Sequence, residues 1–388
     1  MKGKTRLRKG TAGVLVMLFL LVSSVSIAAE TAKETAAEGM VLEESKPLRS
    51  DSVELKIPIK LSGYFWVDTG YMERSNTQSG QYDQTANYMQ GRFVLAGTYY
   101  RELGNFFALA KVELVGYENE YTQSQYEVHT LDSYVKFGQK WWDIQVGRFL
   151  AWEVYSRGQG IELYTAEEAG ALDGPSMYLL DFTRGHKNEA GQAAVHLFPF
   201  DFLKFEVAGV YGQESNQNNM GIRPVADLKL WKFQVVGGYE YLRQSPQTEA
   251  DKVEVTSRGY AGRLQLNLPV VTTGVDYSSA HVKYININGE VDGEKTTDTT
   301  SIGAFIDVDF WKNSIGLGYH HTRQKNKQGE ENTHDQMFMS YLFRLPIEGL
   351  SLKAVYGFAT AHIQDVDANS EWDNDMRSFR LRISYEFK

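Results

Sequence analysis

Charge at every second position is the chemistry this sequence offers most often. Arg380, Arg382 and Glu386 interleave with Phe379, Leu381, Ile383, Tyr385 and Phe387, and Asp307 and Asp309 interleave with Ile306, Val308 and Phe310. Other chemistries are weaker. The chain has no cysteine, which excludes disulfides, thiolate metal sites and thiol nucleophiles. Its 8 histidines are scattered, and His320-His321 with His334 is the nearest approach to a cluster. Adjacent residues on a strand point to opposite faces, so no metal site is predicted there. Gly158-Gln159-Gly160 lacks the strand-to-helix setting of a phosphate loop. Asp307 and Asp309 share one strand face and could be imagined as an acid–base pair. On a face already rich in charge they read as part of a wet wall. No nucleophile elbow or zinc-binding helix is visible, so no catalytic residue, metal or cofactor is expected.

The elements that carry these charges are strands. From about residue 60 onward the helical period is essentially absent and period two dominates. One alternating strand decides nothing, because a soluble sandwich alternates too. The connections decide, because they alternate in length. Short links sit at 102–105, 138–140, 199–201, 231, 269, 312–313 and 346–349. Long polar links sit near 72–87, 118–126, 153–187, 214–220, 244–253, 285–296, 324–334 and 363–375. Short turns on one side and long loops on the other are the mark of a transmembrane antiparallel β-barrel, here of about 16 strands. The strand-like segment Met177–Phe182 is assigned to the third long link, because a spanning strand there would invert the sorting after it. Aromatic residues gather at strand ends (Tyr99-Tyr100, Trp141-Trp142, Phe198 and Phe200, Tyr239 and Tyr241, Phe310-Trp311), as interfacial girdles require. A mean hydropathy of −0.39 excludes a polytopic helical membrane protein but not strands that turn only alternate residues to lipid.

The first residues give the compartment. Lys2, Lys4, Arg6, Arg8 and Lys9 precede the apolar run Val14–Val22, and Ser26-Ile27-Ala28 supplies a cleavage site. Residues 1–28 read as a secretory signal peptide, 29–53 as a flexible acidic leader and 54–388 as the barrel. Removing the signal takes the formal net charge from −9 to −14, which argues against a nucleic-acid partner.

If apolar residues face lipid, the alternate ones face the barrel interior. The predicted inward basic set includes Arg92, Lys111, Lys136, Lys204, Arg223, Lys229, Arg263, Arg344, Lys353, Arg380 and Arg382. The acidic set includes Asp68, Glu113, Asp132, Asp143, Glu206, Asp227, Glu240, Asp276, Asp307, Asp309 and Glu386. A dry barrel core would not tolerate so many charges, whereas a water-filled lumen would.

The opening strand Leu61–Asp68, the segment Ile144–Phe149 running into an unusually long third loop, and the aromatic final strand together resemble Gram-negative outer-membrane porins of the 16-stranded trimeric type. The chain ends Phe387-Lys388, whereas that family usually ends on the aromatic residue. The acidic leader is similar to extensions of dicarboxylate-type porins. The resemblance implies a homotrimer in the outer membrane, contact with bilayer and lipopolysaccharide, and assembly machinery that reads the C-terminal strand. It also implies passive diffusion of small hydrophilic solutes and ions, or a channel selective for small anions, dicarboxylates or sugars. An outer-membrane barrel hydrolase is the rival from another class. In the porins the third loop folds into the barrel and narrows it. Its acidic residues here are Glu153, Glu162, Glu167, Glu168, Asp173 and Asp181. They are expected to face basic groups of the first and last strands, Arg92, Lys111, Arg380 and Arg382 foremost. Lys136, Arg344 and Lys353 complete the expected basic wall. Opposed charges across a constriction set ion selectivity.

Overall fold

A computed structural model describes residues 59–76, 84–119, 127–155, 177–246, 253–286, 290–365 and 370–387. Residues 1–28 and 29–53, assigned above to a signal peptide and a leader, lie outside the described residues. The strands run β1 (Ile59–Asn76), β2 (Gln84–Leu103), β3 (Phe106–Asn119), β4 (Glu127–Gln139), β5 (Trp142–Arg148), β6 (Gly191–Phe200), β7 (Leu203–Glu214) and β8 (Gln217–Leu230). They continue as β9 (Phe233–Pro246), β10 (Val253–Asn267), β11 (Val271–Asn286), β12 (Val291–Phe310), β13 (Asn313–Asn326), β14 (Glu331–Arg344), β15 (Leu350–Asp365) and β16 (Ser370–Phe387). Every strand pairs antiparallel with its sequence neighbours. β1 pairs with β16 from Gly63↔Phe387 to Asn76↔Asn374, closing the barrel. Closure leaves no open strand edge, a condition for a sheet in lipid.

Period two explains both faces. On β13, Ile315, Leu317 and Tyr319 point out and are exposed, while Ser314, His320 and Thr322 point in and are buried. The outward face changes character along several strands. On β13 it passes from Tyr319 to His321, Arg323 and Lys325; on β10 from Leu264 and Tyr260 to Arg258 and Glu254; on β16 from Phe379 to Arg377 and Asp373. At the short-turn end Trp231, Trp311, Phe310 and Phe200 stand exposed. An apolar belt bounded by aromatic residues and then by charge is the outer surface of a membrane-spanning barrel.

Three expectations about the connections need correction. The link near 214–220 is not a long loop but the two-residue turn Ser215-Asn216, both in left-handed conformation (φ 51° and 63°), as a tight hairpin demands. The links expected at 285–296, 324–334 and 363–375 also contract, because the ladders of β11–β16 continue through them. Beyond the lipid belt both faces meet water, so apolar alternation fades while backbone pairing persists. The third link errs the other way: β5 stops at Arg148 and β6 starts at Gly191, so it runs from 149 to 190. Gly147 precedes the departure at φ 127°, a conformation side chains rarely adopt. Met177–Phe182 lies within this loop, not in a strand.

Candidate functional site

The inward face divides into two walls. Across β4–β9 runs a chain of alternating charge. Lys136 Nζ is 3.4 Å from Asp143 Oδ1. The same Asp143 oxygen is 2.5 Å from His196 Nδ1, and His196 Nε2 is 3.1 Å from Glu206 Oε2. Arg223 Nη1 donates to Glu206 Oε1 (3.1 Å). His196, Glu206, Arg223 and Glu240 are each no more than 2% exposed. Buried ions require partners on all sides, and here the third loop supplies several.

That loop lies against the β4–β9 wall and beyond it. Arg223 donates through Nε to the Leu180 carbonyl (3.0 Å) and through Nη2 to the Trp152 carbonyl (2.5 Å). Glu206 accepts the Trp152 N–H (2.8 Å). Glu240 accepts four loop donors: Tyr178 Oη (2.5 Å), the Phe182 and Thr183 amides (3.0 Å each) and Thr183 Oγ1 (2.9 Å). Farther round, Ser278 Oγ donates to the Tyr178 carbonyl (2.6 Å), and Ser301 Oγ accepts the Tyr178 amide (3.2 Å). Tyr155, Met177 and Leu179 then pack with Met72, Ala359 and Met376 of β1, β15 and β16. The described stretches of the loop, 149–155 and 177–190, are therefore folded inside the barrel and reach from β6 round to β1.

Its side chains sit where the wall lacks side chains. A Cβ on Gly238 would lie 2.7 Å from Leu180, one on Gly221 2.7 Å from Thr183, and one on Gly303 2.6 Å from Tyr155 Oη. At Gly259 it would lie 2.1 Å from the Tyr178 hydroxyl oxygen. Burial, then the Glu240 carboxylate, pushes the Tyr178 phenol far above its ordinary value, so it remains a donor.

The second wall spans β15, β16, β1 and β2. In register across these strands stand Lys353, Arg382, Asp68 and Gln90. Asp68, fully buried, receives a bidentate pair from Arg382 (2.6 and 2.7 Å) and a bond from Gln90 (3.2 Å), with Arg380 Nη1 at 3.6 Å. The Arg382 guanidinium lies 4.0 Å from the Trp66 ring centroid, and Arg92 lies 5.9 Å from that of Tyr64.

The seven basic residues expected on the wall occupy inward positions of their strands. Arg92, Lys353, Arg380 and Arg382 gather on the second wall. Lys111 sits apart on Glu113 (2.6 Å) and Asp132 (3.1 Å), Lys136 belongs to the alternating chain, and Arg344 pairs with Asp309 (3.2 Å) at the short-turn rim. Among the loop carboxylates, Glu153 pairs with Arg184 of the same loop (2.9 Å) instead of reaching across, and Asp181 is exposed. Glu162, Glu167, Glu168 and Asp173 lie outside the described residues. The idea that all inward charge lines water is corrected: Glu206, Arg223 and Glu240 are covered by the loop they bind. Sequence placed these three on the inner face but gave no sign of that use. A charged residue and a glycine beside it at matching inward positions (Glu240 opposite Gly259) is the signal that could have shown it.

No family model matches the chain, and no curated protein matches it. Solved structures do. OmpT, an outer membrane protein of Vibrio cholerae, superposes as a loop-deletion mutant with a TM-score of 0.57 at 11% identity, over 85% of this chain and 99% of that one. Its trimer form gives 0.55 at 12% identity, with the same coverage. The outer membrane channel DcaP of Acinetobacter baumannii gives 0.57 at 12% identity, over 85% and 97%. The anion-selective porin from Comamonas acidovorans gives 0.55 at 12% identity, over 85% and 99%. The fold is thus the closed 16-stranded barrel of the outer-membrane porins.

Proposed function

We propose that this barrel is a non-enzymatic porin in the outer membrane of a Gram-negative bacterium, through which small hydrophilic solutes and ions diffuse passively. One observation carries the reading. The longest connection is folded onto the inner wall by buried hydrogen bonds to Glu240 and Arg223. A loop held inside a barrel whose inner face is charged on every strand pair narrows an aqueous path. The wall around Arg92, Lys353, Arg380 and Arg382 then sets the preference among ions. Residues 1–28 serve as export signal, and the trimer form of the OmpT likeness supports assembly as a homotrimer.

Planar-bilayer recording of the refolded protein tests this. Stable ohmic steps are expected. Replacing Arg380 and Arg382 together by Ala should move the reversal potential toward cations. Steps blocked by one solute class would replace the general pore with a selective channel. An absence of conductance accompanied by hydrolase activity would sink the porin reading.

A further inference from the structure

His196 stands between two carboxylates on two neighbouring strands, and each of its ring nitrogens is within hydrogen-bonding distance of one of them. A neutral imidazole has one N–H and one bare nitrogen, so it can donate to only one carboxylate and must turn a lone pair on the other. The arrangement is satisfied when both nitrogens carry protons. Glu206, the partner of Nε2, in turn accepts the Trp152 amide and Arg223 Nη1, and Arg223 holds the carbonyls of Trp152 and Leu180. The Trp152 ring lies parallel to the imidazole, with centroids 5.2 Å apart and an interplanar angle of 14°. Two stretches of the docked loop, its root at Trp152 and its inner turn at Leu180, therefore meet one hydrogen-bonded group whose only side chain titrating at ordinary pH is His196.

We infer that His196, as a doubly donating imidazolium, is a positioning residue that fixes the root of the constricting loop through Glu206 and makes the docking of that loop pH-dependent. The charged groups facing it are Asp143 on β5, Glu206 on β7, Lys136 of β4 behind Asp143 and Arg223 of β8 behind Glu206. The loop side presents the Trp152 ring, and Phe198 lies 6.3 Å away on β6. Lys136 and Arg223 remain cationic as the pH rises, so loss of the imidazolium proton removes one donor without collapsing the row. Losing one charge-assisted hydrogen bond shifts the docked–undocked equilibrium about ten-fold or more toward release. The inference rests on the channel reading only for its effect on current.

The test uses three readouts on the full chain, from about pH 5 to about pH 10. Histidine-selective ¹⁵N labelling in detergent micelles reports whether both His196 nitrogens carry protons, with His196→Gln assigning the resonance. A nitroxide on Leu150→Cys, in a chain with no other cysteine, reports mobility of the exposed loop root. Single-channel recording reports conductance. Expected are a doubly protonated His196 with an immobile root at low pH, and a rise in mobility and conductance when the second proton leaves. His196→Gln should abolish the pH step in both. A singly protonated His196 beside an immobile root, or an unchanged step in His196→Gln, would overturn the inference. Intact resonance and mobility steps without any conductance would support the latch and remove the channel reading.

Discussion

The two inner walls use buried charge in opposite ways. Across β4–β9 acids and bases alternate one strand at a time, and their remaining hydrogen-bonding capacity goes to the backbone of the third loop. Across β15, β16, β1 and β2 Arg382 and Arg380 gather on Asp68, and the guanidiniums of Arg382 and Arg92 lie over Trp66 and Tyr64. The first wall is an anchor: its charges balance locally and hold peptide. The second is a field: its positive excess is spread over neighbouring register rows around Asp68 and is stiffened by strand-to-strand bonds. Geometry and selectivity of the path are thereby assigned to different strands.

The largest expected effect is on the anchor. Glu240→Ala removes the acceptor of four loop donors and leaves buried Arg223 without that carboxylate beside it, a change on the order of 3–5 kcal/mol. The barrel should still close, because its ladders do not involve this side chain. Single-channel current should become larger and noisier while ion preference changes little. The double replacement Arg380→Ala with Arg382→Ala should do the reverse, moving reversal potential and leaving current noise unaltered. If both variants moved the same quantity, the division between the walls would fail.

A smaller change addresses shape without charge. Gly259→Ala places a methyl group 2.1 Å from the Tyr178 hydroxyl oxygen, and overpacking of this kind costs roughly 1–3 kcal/mol. Because Tyr178 also bonds Glu240, the variant should reproduce part of the Glu240→Ala current phenotype. Gly116→Ala, where an added Cβ meets nothing within 4 Å, is the matched control and should change neither conductance nor thermal stability. Equal phenotypes from the two would show that the glycine seats are not specific to the loop.

How much of this was legible depends on what alternation encodes. A period of two states which residues face inward, so the inward basic and acidic positions followed from sequence. Connection length states which ends are alike, so strand number and order followed as well. Neither pattern says that an inward acid is covered. Glu240 and Asp307 read identically as charges between apolar residues, yet one accepts four bonds from a segment some sixty positions away in sequence. The turn at Ser215-Asn216 was missed because polar residues beyond the lipid belt mimic a loop while their backbone still pairs. The opposition of loop carboxylates to the basic wall presumed that negative charge reaches across. Glu153 instead finds Arg184 within its own loop.

The smallest effect distinguishes the loop's far end from its root. Glu214, at the tip of β7 beyond the lipid belt, accepts the backbone amides of Asn188, Glu189 and Ala190 as the loop returns to β6. Burial acts to raise its pKa, but these N–H donors outweigh it and hold the carboxyl below the ordinary 4.5. A depressed folded-state value means that the tether is fully present above the unfolded-state value and weakens as pH falls through the folded one. Acid should therefore loosen the returning end at Glu214, while it is alkali that loosens the His196 root. A nitroxide on exposed Glu189→Cys should gain mobility only on acidification below the ordinary glutamate value of 4.5, and Glu214→Gln should remove that transition. If the same label responded instead in the histidine range, the loop would be moving as one body and the two tethers would be a single anchor.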